Sequence, residues 1–157
     1  MTVIFSHKFY NPPLRFSSYQ GKAGHAPHKM PFSVYFSDTD PYGVVWHGSF
    51  AKYLEKARVE LFKSRGIEMY APQNPQGNIF CIKHQEQAFH FPARYGDPLE
   101  VETIVDVENN RKLVFTQTVK NTASGQDIMT ATSVTLVVDQ HFNRVAPIPN
   151  DIVSKLA

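Results

Sequence analysis

Between Met30 and Ser37 apolar and polar side chains alternate, with Phe32, Val34 and Phe36 on one side and Ser33, Tyr35 and Ser37 on the other. That period of two predicts a half-buried strand. From Ser49 to Arg65 the period lengthens. Phe50, Leu54, Ala57 and Leu61 are spaced to line one face of a helix, and Lys52, Glu55, Lys56, Glu60 and Lys63 fall mostly off it. Gly48 or Ser49 can open this helix, and Gly66 can close it in a left-handed conformation just past the last turn. Residues 71–78 hold Pro72, Pro75, Gly77 and two asparagines and read as a loop. Beyond them the chain reads as strands. The first runs from Ile79 to about Phe91 and is broken by Pro92 and by Gly96-Asp97-Pro98. In the second, Leu99, Val101, Thr103 and Val105 alternate with Glu100, Glu102 and Ile104. Asn109-Asn110 suits a tight turn with positive φ. Leu113–Lys120 and Ile128–Asp139 follow as strands, separated by a turn at residues 123–126, and Asn150 can cap a short final helix over residues 151–156.

The order is therefore one strand, one long helix, then four strands joined by hairpin turns. Consecutive strands joined in this way imply an antiparallel sheet, and that sheet is the only large apolar surface on which the helix can bury its face. The expected architecture is α+β: a curved antiparallel sheet wrapped around one long central helix, the hot-dog arrangement. Residues 1–29 differ, with Pro12, Pro13, Gly21, Gly24, Pro27, three histidines and no sustained period. They are expected to form an irregular extension, with Phe5, Phe9, Tyr10 and Phe16 available for packing against the domain, and residues 30–157 to form the domain itself.

The composition narrows the function classes. A chain of 157 residues suits one domain with a core that needs no staples. Its formal charge of +2 provides no general field for nucleic acid. Cys81 is the only cysteine, which excludes an internal disulfide framework and a cysteine-based zinc site and points to a reducing compartment. No apolar run approaches the roughly 20 residues of a membrane span, and residues 1–8 do not read as a secretory signal. A cytoplasmic protein is expected, with no membrane span and no metal. The histidines lack ligand spacing supported by acids or cysteines: His25 and His28 lie in the extension, and Asp139 with His141 reads as a strand end. Cys81 and His84 invite a nucleophile–base reading, but residues three apart in a regular strand face opposite sides, so Cys81 is expected in the core.

The string DTDPYGVVWHGSF at positions 38–50, continuing as AKYLEKARVELF to residue 62, resembles the hydroxybenzoyl-CoA thioesterase-like branch of hot-dog proteins, including the bacterial acyl-CoA thioesterases associated with the Tol–Pal system. Its pattern is D-x-D-x-x-G-V-V-x-H/Y-x-x-Y/F. The strings FPARYGDPLEVE (91–102), LVFTQTV (113–119) and RVAPIP (144–149) resemble the same family in the same order, so the likeness covers about residues 31–156. It implies hydrolysis of acyl-CoA thioesters, with Asp40 as the catalytic carboxylate, acting as nucleophile or general base, and the start of the central helix at His47 as the donor to the carbonyl oxygen. It implies no cofactor beyond the coenzyme A of the substrate. Pro41-Tyr42 and Trp46 are bulkier than the family's usual residues at those positions and leave the acyl group open.

The residues agree with that chemistry. An ordinary aspartate is ionised at neutral pH and can attack or activate water. Gly43 permits a tight turn, Val44, Val45 and Trp46 can line an apolar wall, and the helix start offers free N–H groups to a developing oxyanion. The His47 side chain is a further candidate for orienting water or substrate. Asp38 either tunes Asp40 or shapes the turn. Glu55, mid-helix, is the second candidate base, as the resemblance implies, since another branch of hot-dog thioesterases takes its carboxylate from this helix; an ion pair to Arg58 or a subunit-interface contact is its structural alternative. Arg111 and Lys112, together with Arg94, are candidates for the phosphates of coenzyme A. Phe50, Tyr53, Trp46, Phe80 and Phe89 could line an acyl pocket or pack in the core. A lone domain of this kind leaves a sheet edge open, so a homodimer or homotetramer with sites at the subunit junction is expected. The competing functions are a hot-dog hydratase or dehydratase on acyl-CoA or acyl-carrier protein, and a non-catalytic acyl-ligand binder.

Overall fold

The computed structural model describes residues 26–69, 79–139, 141 and 144–156. The expectations for residues 1–25, His25 among them, and for the loop at 71–78 lie outside the described residues. The elements are β1 (His28–Ser33), α1 (His47–Ser64), β2 (Ile79–Phe89), β3 (Pro98–Glu108), β4 (Lys112–Asn121), β5 (Asp127–Val138) and α2 (Asn150–Leu156). The five strands form one antiparallel sheet in the order β1-β3-β4-β5-β2, and α1 packs on one face of it. This is the expected hot-dog architecture.

The helix face is the one its spacing marks: Phe50, Leu54, Ala57 and Leu61 are all buried. The first half of α1 packs Phe50, Tyr53, Leu54 and Ala57 against Val101, Val119 and Met129. The second half packs Leu61 and Phe62 against Phe115 and Val137, with Ile148, Ile152 and Leu156 closing that end. Gly66 follows the C-terminal turn with φ 64° and its N–H donates to Lys63 O, as a left-handed cap requires. The β3–β4 turn has φ 51° at Asn109 and 52° at Asn110, the two successive positive values of a type I′ hairpin.

Two expectations about the strands change. The first strand does not reach Phe36. It begins at His28, so the sheet takes in His28 and Lys29 from the segment assigned to the extension, and it ends at Ser33. Its partner β3 starts at Pro98, which lies opposite Ser33, so residues 36–38 have no strand to pair with. Instead the Asp38 carboxylate accepts the Tyr35 N–H at 3.0 Å and fixes a 3₁₀ turn over Phe36–Asp38 that leaves Phe36 81% exposed. The second change is at Cys81. The β2–β5 register slips between Ile82 and His84, so Lys83 is an extra residue in a β-bulge. Cys81 then stands opposite Leu136 and His84 opposite Val134. Those partners are two residues apart, so Cys81 and His84 share a face after all, the one turned away from α1. Cys81 is half-buried there rather than in the core, and the His84 ring bonds Glu86 Oε1 at 2.9 Å.

Candidate active site

The segment between the 3₁₀ turn and α1 is a small hairpin. Thr39 bridges Val45, the Asp40 N–H donates to Val44 O at 2.8 Å, and the Gly43 N–H donates back to Asp40 O at 3.0 Å. The turn needs a left-handed residue, and Gly43 supplies it at φ 73°. The hairpin is held to the body of the protein at three points. The Val45 N–H donates to Ala93 O at 2.8 Å, the Trp46 N–H to Asp38 O at 2.9 Å, and Ser49 Oγ to the same Asp38 oxygen at 3.2 Å.

The two acids of the motif do different work. Asp38 is 6% exposed. Burial pushes its carboxyl pKa up, but the nearby Tyr53 hydroxyl, the Tyr35 N–H and Lys52, 3.6 Å away, outweigh burial and hold it below its ordinary value. It shapes the turn. The Tyr53 hydroxyl is itself sealed from solvent and completes no hydrogen bond; burial first, and then the Asp38 charge, raise its pKa. Asp40 sits half-buried at the hairpin tip. Its Oδ1 accepts the Tyr42 N–H at 2.8 Å, which fixes the carboxylate's orientation, and its Oδ2 has no partner among the described residues.

Beyond the hairpin, α1 begins at His47, two residues before the predicted start at Ser49. Trp46 occupies the capping position, and its side chain offers no acceptor to the first turn. The first turn carries no acid either. Ser49 N–H turns back to Trp46 O at 2.8 Å, while the N–H groups of His47 and Gly48 have no acceptor among the described residues. The positive end of an 18-residue helix is thus left uncapped, three residues along the chain from the residue paired with Asp40. The Trp46 ring lies directly over Gly48: a Cβ there would come within 2.4 Å of ring carbons, so the glycine is what lets the indole fold over the helix start.

The remaining predicted residues separate. Val44 is half-buried and Trp46 51% exposed beside the turn, but Val45 is sealed in the core and anchors the hairpin instead of lining a wall. Phe50 and Tyr53 are core residues. Arg94 is exposed in a turn in which its N–H donates to Asp97 Oδ2. Arg111 and Lys112 flank the β3–β4 turn, near Ile148 and the C-terminal end of α1, whereas Asp40 precedes its N-terminal end. An 18-residue helix is about 27 Å long, so these cations do not share a site with the Asp40 of their own chain. Glu55 makes no ion pair with Arg58; it is exposed and, with Arg58, borders a cavity of about 320 Å³ between α1, β2 and β5. Among the described residues, Asp40 and His47 line neither this cavity nor those beside Tyr53 and beside Ile148.

What the motifs do not mark is a buried polar layer across the middle of the core. Arg58, 5% exposed, donates from Nη1 to Gln117 Oε1 at 2.8 Å and to Ser133 Oγ at 3.5 Å. Gln117 Nε2 donates to Leu54 O at 2.9 Å and Thr103 Oγ1 at 3.1 Å. A signal does exist in the sequence: Thr103, Gln117 and Ser133 each interrupt the otherwise mostly apolar inward series of a strand.

A family profile described as the thioesterase-like superfamily matches residues 34–156. The chain belongs to that superfamily. Among its relatives is the acyl-CoA thioester hydrolase YbgC of Escherichia coli, 29% identical over 127 residues that make up 81% of this chain and 93% of that protein. The acyl-CoA thioesterase YbgC of Helicobacter pylori is 40% identical over 70 residues, 45% of this chain and 50% of that protein. In fold, this thioesterase-superfamily chain is similar to 4-hydroxybenzoyl-CoA thioesterase complexed with 4-hydroxybenzoyl-CoA. The TM-score is 0.77 at 22% identity, over 85% of this chain and all of that one.

Proposed function

We propose that the protein hydrolyses acyl-CoA thioesters to the free acid and coenzyme A, with Asp40 as the attacking or water-activating carboxylate. One observation carries this reading. A carboxylate with one oxygen fixed by the Tyr42 N–H and the other unpartnered stands on the hairpin that leads straight into an uncapped helix N-terminus. The thioester carbon would lie between them, with its oxygen on the N–H of His47 or Gly48. As the tetrahedral intermediate forms, charge moves onto that oxygen, and one such preorganised donor contributes about 3–4 kcal/mol to the transition state. The reaction so drawn uses no cofactor. The names of the YbgC relatives, acyl-CoA thioester hydrolase and acyl-CoA thioesterase, support the substrate class. Purified protein is expected to release coenzyme A thiol from acyl-CoAs in a screen across chain length and aromaticity. Hydration of an enoyl-CoA without thiol release would instead indicate a hydratase, and saturable acyl binding with no turnover a binder.

A second reading rests on Glu55. Its carboxylate is unpaired among the described residues and borders a cavity with mostly apolar walls, which Asp40 does not. Both readings want a second subunit. The strand β2 is an 11-residue edge, paired only with β5, and it exposes Ile82 and Phe89 at about half their surface. The other edge, β1, has six residues and carries Lys29 in ion pairs with Glu100 and Glu102, the charged blunting typical of an edge that stays free. In the proposed homodimer, itself able to pair into a tetramer, two β2 strands meet and the partner subunit roofs the open Asp40 site. Pairing of subunits is also what would bring Arg111 and Lys112 within reach of a neighbouring site and its coenzyme A phosphates. Sedimentation at micromolar concentration is expected to show a dimer or larger; a monomer that hydrolyses acyl-CoA would remove this site model. Among the described residues no helix is long and apolar enough to cross a membrane, and a cytoplasmic location belongs to the same proposal.

A further inference from the structure

Among the described residues Arg58 is a buried cation that forms no ion pair. All the groups it bonds are neutral: Gln117 Oε1 and Ser133 Oγ, both reached from Nη1 alone. The guanidinium also lies 5.8 Å from the centre of the Phe115 ring. A guanidinium carries five N–H donors and keeps its charge in proteins; among the described residues only Nη1 meets a protein acceptor, and no other nitrogen of Arg58 is both sealed from solvent and unbonded, so the remaining donors are open to whatever fills the space beside them. No ion pair among the described residues includes it; Glu55, one turn earlier, attracts it only at longer range, and burial is the larger influence on it. A buried ion left unpaired is costly unless something else supplies the acceptor.

The cavity of about 320 Å³ that Arg58 borders shows what could supply it. Val59, Met69, Phe80, Ile82 and Phe115 make most of its wall, while Arg58, Glu55 and Thr135 provide the polar side. An apolar stem fits the wall and an anion fits the guanidinium. A plain alkyl chain would satisfy the first and desolvate the second further. The cavity also lies in line with the proposed reaction centre. His47, Ala51, Glu55 and Val59 recur every four residues, so they stand one above another on α1, and the first three are exposed. The strand β2 runs alongside in the opposite sense, with Phe89 beside Phe50 near the helix start and Phe80 beside Phe62 near its end. Eleven residues of helix separate His47 from Arg58, about 16 Å. At roughly 1.2 Å per bond of an extended chain, that is about thirteen bonds, fewer once the Arg58 side chain leans back toward the helix start.

We propose that this cavity receives the far end of an acyl chain bearing a carboxylate, and that Arg58 is the specificity residue that pairs with it. The preferred substrates are then ω-carboxyacyl thioesters of about ten to thirteen carbons. This rests on the thioester-hydrolase reading above, with the chain lying along α1 from the helix start.

The experiment compares dodecanedioyl-CoA with dodecanoyl-CoA on the wild-type protein. A preference of at least tenfold in kcat/KM for the carboxylated chain, expressed mainly in KM, is expected; equal or reversed rates overturn the proposal. In Arg58→Met the ratio of the two kcat/KM values should collapse toward one, with partial recovery in Arg58→Lys. A purely structural role would instead lower both rates together and leave the ratio unchanged. Should Arg58→Met fail to fold, calorimetric binding of free dodecanedioate and dodecanoate to the wild-type protein decides. The dicarboxylate is expected to bind at least tenfold more tightly, and equal affinity sinks the idea. Because that binding needs no turnover, it stands apart from failure of the hydrolase reading, which would show as no thiol release from any acyl-CoA.

Discussion

Asp40→Asn should lower thioester turnover at least about a hundredfold, the usual scale for a positioned acid–base or nucleophilic group, while the fold survives. The structure explains the survival. The bond that shapes the hairpin is accepted by Oδ1 from the Tyr42 N–H, and an asparagine keeps that oxygen. What it loses is the charge and the acceptor capacity of the second oxygen, the one left unpartnered. A half-buried isosteric change of this kind typically alters stability by no more than about 0.5 kcal/mol, which for a domain of this size is about 2 °C in Tm. Steady-state thiol release and a thermal melt on the same preparation check both halves. Glu55→Gln is the informative companion, since its carboxylate borders a cavity but has no fixed orientation. If Asp40→Asn retains most of the rate and Glu55→Gln abolishes it, the helix carboxylate does the chemistry.

Phe62→Ala is expected to cost about 3–5 kcal/mol of folding stability, the upper range for truncation of a core side chain. Phe62 is fully buried, and its ring lies 5.7 Å from both Phe80 and Phe115. It thereby joins α1 to the edge strand β2 and to the central strand β4. With net stabilities of about 5–15 kcal/mol for whole domains, that loss would lower Tm by roughly 10 °C or more. Chemical denaturation at fixed protein concentration measures it, the concentration being held because subunit association would contribute to the apparent stability. A cost below about 1 kcal/mol would mean that the second half of the core relaxes around the missing ring.

Much of the architecture follows from local pattern. The run Phe50, Leu54, Ala57, Leu61 fixes a helix and its buried face, and the alternation from Leu99 to Val105 fixes a strand and its sides. Asn109-Asn110 and Gly66 take the positive φ values their types suit. The motif at 38–50 marks the hairpin that carries Asp40 into the helix, because a turn glycine and two acids leave a chemical trace in a short window. Where local pattern fell short, the deciding contact came from far along the chain. The strand predicted through Phe36 stops at Ser33 because β3 begins at Pro98. The faces of Cys81 and His84 are reversed by a bulge that exists only in the pairing of β2 with β5. Val45 became an anchor because Ala93 offers it a carbonyl.

The site divides along the same line. The sequence by itself determined which elements form, which side of each is apolar, and that a carboxylate and a helix start are covalently close, since all of these depend on residues within a turn or two of one another; that the helix starts uncapped at His47 came from the structure. Only the tertiary structure decided that Arg58 reaches Gln117 and Ser133 without meeting an acid, that Glu55 borders a cavity, and that Arg111 and Lys112 lie at the wrong end of α1 for their own Asp40. Those facts depend on which residues the sheet sets opposite the helix. Side-chain periodicity records the side of an element but carries no information about what stands across from it.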